Sequence, residues 1–195
     1  MKNYSQKMRL AIMASGKGSN AARFMEYFSS HPVIEVQLVI SNNASAGVLN
    51  RAADHGVASR ILPAKAWEDK EKVLSLFEEH DIDAIVLAGY MRLIPEWLIR
   101  KYPDRIFNIH PALLPDFGGK GMYGIHVHRE VIQSGVKRSG ITIHLVNERY
   151  DEGQILFQKS IPVRRDDTPE SLAERVQRLE HVYYPRVVEK HLQTR

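Results

Sequence analysis

"MRLAIMASGKGSNAARFMEYFSSHPVIEVQLVIS", residues 8–41, holds an apolar run, a glycine-bearing loop, a helical stretch and a second apolar run. "MRLAIMAS" and "IEVQLVIS" read as strands, and "NAARFMEYFSS" between them as a helix. Strand, helix and strand in that order make a crossover unit, which pairs the two strands in parallel.

The rhythm continues beyond this unit. "AGVLNRAADHG" is helical, with Gly56 as its stop signal, and "SRILP" is short and strand-like. "WEDKEKVLSLFEEH" has the period and charge of one further helix. "DAIVLAG" and "RIFNIHP" read as buried strands, separated by a short helix over "PEWLIRKY" with Pro95 at its start. An α/β fold follows, with a mainly parallel central sheet and helices on both faces.

The second half changes character. "GITIHLVNE" and "GQILFQKSIPV" are two strands with too few residues between them for a crossover helix, so they are expected to pair antiparallel. The chain closes on a long helix, with Thr168 as N-cap, Pro169 at its first position and Glu170 in its first turn. Pro185 is expected to kink or interrupt it. There is no repeat, low-complexity run or linker, so residues 1–195 are expected to form a single domain.

Composition narrows the function classes. At 195 residues the chain can bury a full core, and 44% hydrophobic with 26% charged residues is the balance of a globular protein in water. No apolar stretch approaches the roughly 20 residues that span a bilayer, and "MKNYSQKMRL" has no apolar leader core. The absence of cysteine excludes disulfides, thiolate nucleophiles and Cys-based metal sites, and a cytoplasmic protein is expected. The net charge of +4 is scattered, with no basic tract for nucleic acid, and suits small anionic substrates equally well.

Two places carry chemistry. In "ASGKGSNAA" the small residues let a phosphate approach backbone N–H groups at a helix N-terminus, with Ser19 and Asn20 adding donors and Lys17 charge. Gly16, Gly18 and Ala21 also fit a loose dinucleotide fingerprint, but the carboxylate it requires is replaced by "SNNAS", which disfavours NAD. A tight turn needing glycine is the bland alternative. In "FNIHPALLP", residues 107–115, a core strand ends with Asn108 and His110 on one face. An Asn amide can donate to an oxyanion and a His can move a proton near neutral pH, a pair suited to acyl transfer without a covalent intermediate. A hydrogen-bonded structural histidine is the competing reading. A carboxylate that orients the ring and raises its pKa would favour catalysis, and Asp151 sits in the connection between the last two strands. His126 and His128 lack a third ligand at a recognisable spacing, so no metal site is expected, and they are read as helix-start or loop residues near the site. His144, in mid-strand, is read as a satisfied interior residue.

Taken together, "SGKGSN", "VISN", "DAIVLAGYMRLIP", "NIHPALLP", the "HVH" segment, "TIHLVNERYDEGQIL" and "ERVQRLEHVYYPRVV" resemble, in order and nearly end to end, the glycinamide ribonucleotide formyltransferases of purine biosynthesis. The resemblance implies a Rossmann-like formyltransferase fold and 10-formyltetrahydrofolate as cosubstrate, with no metal. It implies a catalytic trio of Asn108, His110 and Asp151, and a ribonucleotide site at Gly18, Ser19, Asn20 and Glu180. It assigns the folate to Met91, Arg92, Leu93 and Ile94, to Asn108, to Asn147, Glu148, Arg149 and Tyr150 of the "NERYD" loop, and to Lys70. A monomer or homodimer acting on small molecules is implied. The glycine-rich loop "DFGGKGMYGIHVH" is longer than the family's usual one. A 10-formyltetrahydrofolate hydrolase typically adds an amino-terminal domain and a methionyl-tRNA formyltransferase a carboxy-terminal one, neither expected here. A non-catalytic phosphate-binding module is the rival from another class.

Overall fold

The computed structural model describes residues 7–194, in two compact units, Met1–Arg92 and Leu93–Arg195. Residues 1–6, part of the stretch read above as lacking a leader core, lie outside the described residues, as does Arg195.

The first unit contains β1 (Met8–Met13), α1 (Ser19–Phe28), β2 (Ile34–Ser41), α2 (Gly47–Asp54), β3 (Ala58–Ile61), a 3-10 turn over Ala64–Glu68, α3 (Lys70–Glu79) and β4 (Ala84–Leu87). β1 pairs in parallel with β2 and β4, and β2 with β3. Leu10 to Met13 have no exposed surface, the condition of a central parallel strand covered on both faces. The single helix expected over residues 67–80 is instead two pieces. The Asp69 side chain accepts the Lys72 N–H at 3.0 Å and caps α3. A short acid that bonds the backbone in this way starts a helix rather than continuing one. Trp67 is left in the 3-10 turn, with its ring 6.4 Å from that of Tyr90.

The second unit contains α4 (Glu96–Lys101), β5 (Ile106–His110), α5 (Ile125–Gln133), β6 (Arg138–Leu145), β7 (Ile155–Pro162) and α6 (Pro169–Gln193). Pro95 is the N-cap of α4, one residue before the helix proper. β5 pairs antiparallel with β6, and β6 with β7. The strands run in the order β3-β2-β1-β4 in the first unit, all parallel, and β5-β6-β7 in the second, all antiparallel, the mixed pattern that the sequence predicts.

Helix α6 begins with a reciprocal cap. Thr168 Oγ1 accepts the Ser171 N–H at 3.2 Å, and Ser171 Oγ accepts the Thr168 N–H at 3.0 Å. The interruption expected at Pro185 does not occur, because α6 is continuous through it. Proline forfeits one backbone bond, but Leu172, Val176, Tyr184, Pro185, Val188 and Leu192 bury a face along the whole length of the helix. Each such side chain contributes on the order of 1.5–3 kcal/mol, more than the lost bond costs.

Close contacts between β6 and the turn leading into β7 fix where residues 147–154 lie. The Leu145 N–H donates to the Gln154 carbonyl at 2.9 Å. Gly153 packs so tightly here that a Cβ would stand 1.6 Å from the Leu145 carbonyl oxygen and 3.4 Å from His144 Nδ1. Only a residue without a side chain lets the turn approach β6 this closely. Gly153→Ala is therefore expected to lose about 1–3 kcal/mol of stability, measured by urea unfolding. Wild-type stability in that variant would contradict the close approach.

Candidate active site

The antiparallel register of β5 on β6 sets Asn108 opposite His144 and His110 opposite Thr142. This pairing brings a second imidazole to the polar strand end that the sequence marks. Both rings are buried, His110 at 3% and His144 at 2% exposure. Asp151 enters from the turn between β6 and β7, with its side chain 11% exposed.

The Asp151 carboxylate is the meeting point. Its Oδ2 lies 3.5 Å from His110 Nδ1 and accepts the Gly119 N–H at 2.9 Å. Its Oδ1 lies 3.6 Å from His144 Nε2 and accepts a long contact of 3.4 Å from Asn108 Nδ2. The three residues expected to be catalytic are thus brought together, and His144, buried and hydrogen-bonded as expected of a satisfied interior residue, joins them. The signal that could have found it was the β5–β6 register, which the residue types alone do not supply.

Hydrogen bonds fix the resting tautomers. A carbonyl can only accept, so His110 Nε2, 2.7 Å from the Phe117 carbonyl, carries a proton. His144 Nδ1, 2.8 Å from the Leu145 carbonyl, does likewise. In its neutral form His144 therefore presents an Nε2 lone pair, which accepts from Asn108 Nδ2 at 3.1 Å. That bond orients the Asn108 amide.

Two opposing effects act on His110. Burial pushes its pKa down and prevails, although the Asp151 charge and the Phe117 carbonyl push it up. The carboxylate that the sequence suggests would raise the pKa is present, but desolvation outweighs it. Asp151 also suffers desolvation, yet the proximity of His144 and His110 and the hydrogen bond from the Gly119 amide hold its carboxyl below the usual range. The resting pair is a neutral imidazole beside a carboxylate. Even so, both ring nitrogens face acceptors, an arrangement complementary to imidazolium. The site is organised for a positive charge that it does not carry at rest.

The loop after β5 is pinned by side chains. Thr142 Oγ1 donates to the Ala112 carbonyl at 2.7 Å and accepts the Leu114 N–H at 3.0 Å. Gln158 Nε2 donates to the Leu114 carbonyl and to Thr142 Oγ1, each at 2.9 Å. Phe117 and Asp151 both hold left-handed backbones, at φ 55° and 58°. Such conformations cost energy for residues other than glycine and cluster at functional sites. His128, in the first turn of α5, is buried and pushed down to about 4, first by desolvation and then by the charge of His110. His126 is exposed against the Tyr123 ring, 5.9 Å away. The predicted proximity to the site holds for His128.

In the first unit, Gly18 has φ 73° and precedes α1, whose first two residues are Ser19 and Asn20. A Cβ at Gly18 would stand 2.6 Å from Val48, so the loop requires glycine there. Arg51 Nε donates to the Lys17 carbonyl at 2.8 Å and holds the loop on α2. Met91 and Leu93 are about half exposed, whereas Ile94 is buried. Asn147 is engaged in its own turn, donating to the Glu152 carbonyl and accepting the Arg149 N–H, and Arg149 pairs with Glu152 at 3.2 Å. Glu148 and Tyr150 are exposed, and Glu180 is half-buried in the middle of α6. Lys70 opens α3 beside an open groove of about 550 Å³ that it shares with Lys65, Glu68, Asp69 and Glu71. With more carboxylates than ammonium groups on its walls, this groove offers little attraction to an anionic tail.

Residues 8–188 match the formyl transferase family model. The chain is 42% identical over 189 residues to a chloroplastic phosphoribosylglycinamide formyltransferase of Arabidopsis thaliana, covering 94% of this chain and 65% of the plant protein. It is 34% identical to the phosphoribosylglycinamide formyltransferase of Bacillus subtilis, covering 93% of each. Its fold matches the crystal structure of the Bacillus halodurans phosphoribosylglycinamide formyltransferase with a TM-score of 0.85 at 38% identity, covering 94% of this chain and 95% of that one. The chain belongs to the formyl transferase family.

Proposed function

We propose that the protein transfers the formyl group of 10-formyltetrahydrofolate to the amine of 5'-phosphoribosylglycinamide, a step of purine biosynthesis. The observation that carries this reading is the buried cluster of Asn108, His110 and Asp151, with the carboxylate between two imidazoles. The relatives' names support a phosphoribosylglycinamide acceptor for the formyl group. Residues 1–195 act as one formyltransferase domain, a reading supported by a family match that runs across both compact units. We place it in the cytoplasm as a monomer or homodimer. Among the described residues no helix is long and apolar enough to cross a membrane.

The substrate amine attacks the formyl carbon and its carbonyl oxygen becomes an oxyanion. His110 Nε2–H, which rests on the Phe117 carbonyl, transfers its hydrogen bond to that oxyanion. The Asn108 N–H held only by the long contact to Asp151 turns to the same oxygen. The C–N10 bond then breaks, and one proton passes from the amine nitrogen to N10 of the departing tetrahydrofolate. While the proton is in transit the His110 ring takes it on Nδ1, and Asp151, 3.5 Å away, stabilises the imidazolium. No covalent enzyme intermediate forms.

Gly18, Ser19 and Asn20 hold the ribonucleotide phosphate, supported by the helix N-terminus behind them, and Glu180 meets the glycinamide amine. Met91 to Ile94 and the turn at residues 147–150 line the folate. Lys70 is the least supported member of that set, given the mixed charge around it.

The direct test supplies both substrates, together and separately. Tetrahydrofolate is expected only when both are present, and His110→Ala is expected to lose about two to four orders of magnitude in turnover. Formate released without the ribonucleotide would mean a hydrolase, and no turnover in any mixture a binding module. The pH profile gives a second check. Below its pKa the His110 ring already holds the extra proton and cannot accept another, so the rate falls as pH drops through that value. Because burial lowers the pKa, the acid edge of the single-turnover rate is expected below the ordinary histidine range. An edge at or above that range would contradict a buried neutral base.

A further inference from the structure

Ser15 opens the "SGKGSN" motif, and by position it belongs with the residues that receive the phosphate. Its hydroxyl is engaged elsewhere. Ser15 Oγ donates to Asn42 Oδ1 at 2.6 Å and accepts the Met91 N–H at 3.0 Å. Its own backbone N–H donates to the Gly89 carbonyl at 3.0 Å. One residue therefore grips the chain after β4 at two points, Gly89 and Met91.

Elsewhere that chain is held by packing, with Ala88 and Ile94 buried and the Tyr90 ring 6.4 Å from that of Trp67. Residues 88–95 form neither helix nor strand, and Met91 is half exposed. Gly89 has φ 78°, so the backbone turns sharply between β4 and Met91. The last ladder-like bond before the turn runs from the Ala88 N–H to the Met13 carbonyl at 2.8 Å. Beyond it, the Ser15 hydroxyl fixes the backbone of Met91. Asn42, at the end of β2, locks the hydroxyl in the rotamer that makes this possible. The glycine loop does not depend on that hydroxyl. It has its own ties, from the Val48 N–H to the Gly16 carbonyl at 3.1 Å and from Arg51 Nε to the Lys17 carbonyl at 2.8 Å.

We infer that Ser15 is a positioning residue for the folate, acting through Met91, and not a phosphate ligand. The inference rests on the proposed use of Met91 and its neighbours by 10-formyltetrahydrofolate. It separates two roles that the motif merges, since adjacent residues of one loop serve different substrates. Removing the hydroxyl leaves the Met91 N–H and the Asn42 carbonyl without their partners and frees the segment to move. The bond to Met91 is exposed and the bond to Asn42 part-buried, and loss of the two together corresponds to a change of up to about tenfold in a binding constant.

The test is steady-state kinetics of Ser15→Ala and Ser15→Thr beside the wild type, varying each substrate at saturation of the other. For Ser15→Ala the KM for 10-formyltetrahydrofolate is expected to rise, by up to about tenfold, with the KM for the ribonucleotide and kcat nearly unchanged. Ser15→Thr, which keeps the hydroxyl, is expected to restore the folate KM. A rise confined to the ribonucleotide KM would make Ser15 a phosphate ligand and overturn the inference, as would unchanged KM values for both substrates. If Ser15→Ala does not fold, Asn42→Ala, which leaves the serine in place but unlocks its rotamer, is expected to raise the folate KM alone. A normal folate KM there would also overturn the inference. Absence of turnover in the wild type would instead defeat the proposed function, so the two failures are distinguishable.

Discussion

The polar cluster at the end of β5 depends on one buried carboxylate. Asp151 lies within 3.6 Å of two imidazoles and accepts the backbone amide of Gly119. An ionised carboxylate in a desolvated position is tolerable only when its oxygens are met by donors or positive charge. That requirement recruits its surroundings: it draws residues 117–119 toward β5, orients His110 and engages the Asn108 amide. Removing the carboxylate would leave the Gly119 N–H and the long contact from Asn108 without their acceptor.

The fold delivers this carboxylate through backbone geometry. The β5–β6 register sets Asn108 against His144. The missing side chain of Gly153 lets the turn press on Leu145, and the left-handed backbone of Asp151 aims its side chain inward. Thr142 and Gln158 tie the loop after β5 to β6 and β7. None of these four devices reacts, yet each sets a distance within the cluster. The result is a site whose donors and acceptors are already placed for an imidazolium while burial keeps the ring neutral. In the proposed transfer its electrostatic response is concentrated in the transition state, where the charge forms.

Much of this was legible in the sequence. The continuous apolar runs of residues 10–13 and 84–87 identify strands covered on both faces, and the short connection before residue 155 dictates antiparallel pairing. Asn108 and His110 stand out because polar residues on one face of a core strand need a reason. Other features depend on which strands meet. His144 looks like any interior histidine until its opposite number across the sheet is known. Asp69 splits an expected helix because its carboxylate finds the backbone of Lys72, a choice between capping and continuing that periodicity does not record. Pro185 reads as a kink or an interruption, and the interruption does not occur because a locally costly residue persists where a long buried face outweighs it. Residue type fixes what a group can do, whereas tertiary packing decides which of those things it does.

The central claim is that the two rings beside Asp151 are held in opposite senses, His110 neutral with its proton on Nε2 and His144 with a proton on Nδ1. Nitrogen-15 NMR of the histidine rings at neutral pH reads this directly. His110 is expected to carry its proton on Nε2, bonded to Phe117, and His144 on Nδ1, bonded to Leu145. In Asp151→Asn the charge that favours imidazolium is gone, so His110 is expected to stay neutral to still lower pH. A doubly protonated His110 at neutral pH, or a proton on Nε2 of both rings, would contradict the account.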